Sequence, residues 1–393
     1  MREVNSQRLG IEARAPALFQ QNDCPAGLRN FVTNQKAVPP SESLDEGDVI
    51  YFVHVPRTAG RTFHQCFLKV LFPAPQHCPQ SYDIRDFASH EDKAEFRTCK
   101  LMASHEDFST VERLQAMRKP TVVTQLRDPV DRVLSAYEFA VEVALRNLKG
   151  KPRKQEEQQA PDGKKTKRKV ETTDVYPWSE VVPWMREYLR KKPVLQNAGA
   201  DTEDSDDSGN EPVDSYNNTF LMPLHEFIQH QVVIDHIHNG ATVQFAGLTT
   251  RSLHEEWQTM RNCSEMSSKN NELLLQLAMH RLQSFAFVGL TERIDDNGRL
   301  MAAMRGYDLS RPSPEVEWHE VDRKKGSISD RYHQCVDTAR SKYKRNRENT
   351  FKAMNLPFRF SKEARQSISQ ATLDLIGQYN QAGYSAHPPP LQS

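Results

Sequence analysis

The sequence predicts an α/β fold with a central parallel sheet flanked by helices. Two apolar runs of strand length, residues 49–55 and 121–126, carry this reading. Each is followed by a tight loop bearing cations and hydroxyls, and then by apolar residues at helical spacing. Two further short runs, 100–104 and 286–290, sit among helical patterns. Runs without alternation fit strands buried on both faces, and strand–loop–helix order is that of a parallel sheet.

The first strand ends at Pro56. Its loop holds Arg57, Thr58, Ala59, Gly60, Arg61 and Thr62. Gly60 lets the backbone approach an anion closely. Phe63, Phe67, Val70 and Leu71 then recur as on a helix, so the loop feeds a helix start, whose free N–H groups attract anions. The GxxxxGK[ST] spacing of a Walker A loop is absent. A plain strand–turn–helix with surface arginines fits these residues as well.

In the second unit the β-branched run 121–126 leads to Arg127, with Asp128 suited to cap a helix and Pro129 to its first position. Val130, Val133, Leu134, Tyr137, Val141, Ala144 and Leu145 form a helical stripe. Ser135 lies eight residues beyond Arg127, about two turns, so both can meet one phosphate. Ion pairs of Arg127 and Arg132 with Asp128 and Asp131 are the alternative. Two strand tips presenting anion-binding groups suit one ligand with two phosphate-like ends.

The strand at 100–104 ends in His105, again at a carboxyl tip, where α/β sites are built. Residues 221–231 and 272–285 have helical spacing, and Thr291 opens another helix with Leu300, Met301 and Met304. The chain divides into an N-terminal extension at 1–48, a main domain at 49–306 and a C-terminal extension at 307–393, partly helical or disordered. The tail from Arg311 is poor in apolar residues, with a basic stretch at 342–347 and prolines at 388–390.

The 393 residues carry 52 basic and 52 acidic side chains, so net charge names no partner. A basic block at 149–169 and an acidic block at 201–214 lack the apolar residues needed to fold, which predicts disordered insertions at 149–170 and 199–214. The basic block interrupts a domain rather than forming a face of one, so no nucleic-acid partner is expected. Six cysteines show no CxxC spacing; an even count permits three disulfides without fixing their pairing. Sequons occur at Asn217 and Asn262. The first twenty residues hold no apolar core of a signal peptide, and no run approaches a membrane span, so neither signal nor anchor is visible. His54, within the first strand, reads as a core histidine. His225, His230, His236 and His238 lack HExxH spacing, so no metal site is expected.

Together these segments resemble the sulfotransferases that use 3′-phosphoadenosine-5′-phosphosulfate (PAPS). Residues 56–62 stand where that family has its 5′-phosphosulfate loop, and Arg127 with Ser135 where it has its 3′-phosphate pair. The strings at 54–58, 137–144, 182–187, 238–242 and 288–292 are most similar to the heparan sulfate 6-O-sulfotransferase branch and to plant-type tyrosylprotein sulfotransferases. The resemblance covers about residues 49–306. It implies a P-loop nucleoside-triphosphate-hydrolase-like fold, PAPS as donor and no metal. Donor binding falls to Arg57, Thr58, Ala59, Gly60, Arg61, Thr62, Arg127 and Ser135. His105 and Arg57 become catalytic, His105 through a His-x-Asp-aromatic string at 105–108. Arg57 replaces the usual loop lysine and Ala59 a usual glycine. The implied acceptor is an acidic tyrosine-containing peptide or protein, a glycan being the alternative and an inactive nucleotide-binding protein a third reading. The implied location is the Golgi lumen.

Overall fold

The computed structural model describes residues 24–35, 48–72, 74–78, 98–148, 172–192, 213–304 and 328–381. Four parallel strands form its sheet: β1 (Val49–Val53), β2 (Leu101–Ser104), β3 (Pro120–Leu126) and β4 (Phe287–Leu290), in the order β2-β1-β3-β4. Tyr51 is paired with Met102 on one side and Val122 on the other. β1, β2 and β3 are buried along their whole length, as their unbroken apolar runs require.

Chain order and sheet order together create a switch point. From β1 the chain leaves toward β2, whereas from β3 it leaves toward β4. The loops after β1 and β3 therefore diverge and leave a crevice between the two carboxyl ends, where open α/β sheets bind ligands.

Helices among the described residues include α1 (Cys24–Asn34), α2 (Gly60–Phe63), α3 (Phe108–Gln115), α4 (Pro129–Leu148), α5 (Trp178–Arg190), α6 (Gly240–Phe245), α7 (Trp257–Glu265), α8 (Ser268–Gln283), α9 (Ile294–Met304), α10 (Ile328–Ala353), α11 (Lys362–Gln366) and α12 (Gln370–Tyr379). α2 runs on through a π-helical turn at His64–Leu68. On one face of the sheet, Tyr51, Met102 and Val122 pack with Phe108 of α3, Phe245 of α6 and Ala278 of α8. On the other, Phe52, Ala103 and Val123 pack with Phe63, Phe67, Met301 of α9 and Tyr332 of α10. The alternation of neighbours along each strand reflects its two-residue side-chain period.

A third core joins Tyr137 and Val141 of α4 to Val182 of α5, Phe227, Phe351 of α10, Phe360 and Ile376 of α12. The C-terminal segment thus builds core although few of its residues are apolar. α1 packs likewise, through Leu28 and Phe31, on Met260 of α7 and Leu274 of α8.

All six cysteines are paired, as Cys24–Cys263, Cys66–Cys335 and Cys78–Cys99. The expected insertion at 149–170 lies outside the described residues, as does that at 199–214 but for its last two residues. The prolines at 388–390 also lie outside them. Among the described residues no helix is long and apolar enough to cross a membrane.

Candidate active site

Three strand tips converge. After β1 the backbone of Arg57 and Ala59 is left-handed, with φ of 71° and 56°. Thr58 is wholly buried, its hydroxyl donating to the Val55 carbonyl at 2.8 Å, so it braces the loop from within. Gly60 opens α2 where a side chain cannot fit: a Cβ would lie 2.2 Å from His54 Cδ2 and 2.8 Å from Phe52 Cζ. Arg61 is exposed and Thr62 half-buried on the first turn.

The loop reaches the second unit through Arg57. Its Nε and Nη2 donate to Ser135 Oγ at 3.1 and 2.9 Å. Arg127 Nη1 donates to the Arg57 carbonyl at 3.2 Å. Arg127 Nε is buried and has no hydrogen-bond partner among the described residues. Burial draws the Arg127 pKa down, which Asp131 opposes in part. Two guanidinium groups, a hydroxyl and an unmet buried donor suit an anion.

The expected cap is present: Asp128 Oδ1 accepts from Asp131 N at 3.0 Å, and Pro129 is the first residue of α4. The alternative ion pairs are not. Asp131 instead meets Arg365 of α11 at 2.7 Å, and Arg132 is buried, donating to the His236 carbonyl. Beside Arg127 a pocket opens, lined by Leu126, Arg132, Thr242, Phe245 and Leu282.

His105 lies at the tip of β2, buried, hydrogen-bonded to the Tyr176 backbone. Burial pushes its ring down to about 4, so it is neutral at pH 7 and can accept a proton. Its neighbour is His54, with ring centroids 4.3 Å apart. His54 is also stacked on Phe52, and burial, then His105, holds it well below the usual histidine range. Its placement follows from register: Val53 pairs with Ser104, and His54 N donates to the Ser104 carbonyl at 2.8 Å. Gln244 Nε2 ties the two tips, donating to the carbonyls of His54, His105 and Glu106 at 3.3, 3.0 and 3.1 Å.

Asp107, next but one to His105, is wholly buried and turned to the protein's own backbone and hydroxyls. Its Oδ1 accepts from Ser109 N at 3.0 Å, capping α3, and its Oδ2 accepts from Thr249 N and Oγ1 at 3.0 and 2.8 Å. It anchors the segment behind His105. Among the described residues no group of histidines, cysteines and carboxylates could hold a metal ion.

Residues 43–204 match the sulfotransferase family. The chain is similar to a protein-tyrosine sulfotransferase of Arabidopsis thaliana, 38% identical over 262 residues. That alignment takes in 67% of this chain and 50% of the relative, so the chain spans about half the length of the curated relative it matches.

Sequence reasoning did not find the parts of this site that come from elsewhere. Gln244 carried no local signal. Tyr343 of α10, whose hydroxyl accepts from Arg57 Nη2 at 3.0 Å, lay within a stretch read only as basic. His54 was expected in the core. It is buried, yet it also abuts His105.

Proposed function

We propose that this protein transfers the sulfuryl group of PAPS to a tyrosine hydroxyl of a peptide or protein. The observation that carries the reading is the convergence of Arg57, Arg127 and Ser135 at the switch point, on the edge of the sheet that also holds His105. The similarity to a plant protein-tyrosine sulfotransferase favours tyrosine over a sugar as acceptor.

Arg127 and Ser135 grip the donor's 3′-phosphate. The loop from Arg57 to Thr62 holds the 5′-phosphosulfate through backbone N–H groups at the start of the helical run, with Arg61 countering charge on the bridging oxygen, while the Arg57 side chain lies with Ser135 at the 3′-phosphate end. The phenol oxygen attacks sulfur, the bond from sulfur to the bridging oxygen breaks, and adenosine 3′,5′-bisphosphate departs. His105 accepts the phenol proton, which a tyrosine of reference pKa about 10 otherwise keeps at neutral pH. The moving group carries less charge than a γ-phosphoryl, so the scheme needs no metal.

An acidic sequence around the acceptor tyrosine and a Golgi lumenal location belong to this proposal. Three disulfides suit an oxidising compartment. The test offers sulfur-labelled PAPS with an acidic tyrosine peptide and, separately, with desulfated heparan. Label entering the peptide alone is the expected result. Label entering heparan alone overturns the acceptor, and label entering neither overturns the activity.

A further inference from the structure

We infer that Tyr343 is a positioning residue of the donor site, holding the Arg57 guanidinium against Ser135 and so committing Arg57 to the 3′-phosphate end. The inference deepens the donor reading above and rests on it.

The Arg57 side chain is held by Ser135, Phe139 and Tyr343. Its guanidinium carbon lies 4.3 Å from the Phe139 ring centroid and 5.5 Å from that of Tyr343. Nη2 divides its two hydrogens between Ser135 Oγ at 2.9 Å and Tyr343 OH at 3.0 Å. A planar guanidinium can meet two aromatic faces and two hydroxyls together, which a compact lysine ammonium cannot. The clamp gives a physical reason for arginine at this loop position.

Tyr343 is itself fixed by the chain around it. Eight residues earlier on α10, Cys335 is bonded to Cys66 in the π-helical turn that follows the anion loop. Four residues later, Arg347 Nη1 pairs with Glu138 of α4 at 3.1 Å, and its guanidinium carbon lies 5.7 Å from the Tyr343 ring centroid. Glu138 is three residues beyond Ser135 on α4. One end of this stretch is tied to the loop's helix and the other to the helix bearing Ser135, so the phenol spans the two anion units. Residues 43–204, the part that matches the family, do not include Tyr343.

The test measures affinity for adenosine 3′,5′-bisphosphate and adenosine 5′-monophosphate by calorimetry. Proteins compared are the wild type, Tyr343→Phe, Arg57→Ala, Arg127→Ala and the Tyr343→Phe/Arg57→Ala double variant, each with its melting temperature. Tyr343→Phe keeps the ring and loses only the hydroxyl. We expect it to cut the preference for the bisphosphate about five- to tenfold, with monophosphate affinity and melting temperature unchanged. The double variant should lose no more preference than Arg57→Ala alone, because both changes remove one interaction. An unchanged preference in Tyr343→Phe, while Arg127→Ala loses it, overturns the role of Tyr343 and leaves the donor reading intact. A fall in monophosphate affinity and melting temperature without a change in preference also overturns it, as that is what a purely structural residue gives. A wild type with no preference for the bisphosphate overturns both readings.

Discussion

Arg57 hydrogen-bonds Ser135 Oγ at 2.9 Å across 78 residues of chain, joining the loop after β1 to the second turn of α4. Two loops that part at the switch point are thus bridged by one side chain. The anion-binding groups form a single array.

Arg127→Ala should weaken binding of adenosine 3′,5′-bisphosphate by roughly 1.5–3 kcal/mol, the range for hydrogen bonds to charged groups. Ser135→Ala should cost less, because a neutral hydroxyl is lost and Arg57 remains. Calorimetry on both variants checks the order; equal losses would show that the Ser135 hydroxyl matters as much as the Arg127 charge.

Gly60→Ala adds a methyl that would lie 2.2 Å from His54 Cδ2. His54 is enclosed by Phe52 and His105, so its ring cannot swing aside freely. Overpacking of this kind costs about 1–3 kcal/mol. Both stability in urea and turnover should fall. A variant with wild-type stability and turnover would show that the loop yields without disturbing His54.

His105→Ala should lower turnover by about 10²–10⁴-fold, the usual worth of a general base, while donor affinity stays near wild type. Because burial pushes His105 down to about 4, the acid limb of kcat/KM should lie well below the reference histidine value of about 6.5. An acid limb near the reference value, or a folded variant with near-normal turnover, would remove His105 from the proton path.

Stability should decline as pH drops below about 6.5. Burial depresses His105 to about 4 and His64 to about 3, and holds His54 well below its ordinary value. Between the unfolded pKa and these folded ones, the unfolded chain binds more protons, so unfolding free energy rises with pH. Melting temperatures recorded from pH 7 to pH 4 should fall steadily; a flat profile would show these rings exposed to solvent.

Replacing Cys66 and Cys335 together by serine should cost about 2–4 kcal/mol, as for closure of a long loop. Donor affinity should fall as well, because the tie also fixes α10. Replacing Cys78 and Cys99, which are 21 residues apart, should lower stability but spare the donor.

The strands β1 to β3 were legible in the sequence because burial on both faces leaves unbroken apolar runs, and the edge strand β4 because its run is apolar although alternate residues are only partly covered. The cap at Asp128 and Pro129 was legible because its chemistry is local. α10 was less so: its buried Tyr332, Val336 and Phe351 are spread along 26 residues that are otherwise mostly exposed and polar. What reading along the chain could not give is contact between distant segments. His54 meets His105 through the register of β1 and β2, and Tyr343 meets Arg57 across 286 residues. Ala59 marks a third kind of limit. Its replacement of glycine was plain, but not that Arg57, two residues earlier, is also left-handed.

The bond between Cys66 and Cys335 spans 269 residues, so it gives the protein a maturation step. During synthesis both anion units emerge long before α10, and β4 completes the sheet shortly before it. A nascent chain at that stage owns Arg57, Arg127 and Ser135, the residues proposed to grip the donor, but lacks the tie between Cys66 and Cys335. On the proposed role of Tyr343, donor competence waits for α10 to emerge and for an oxidant to join Cys335 to Cys66.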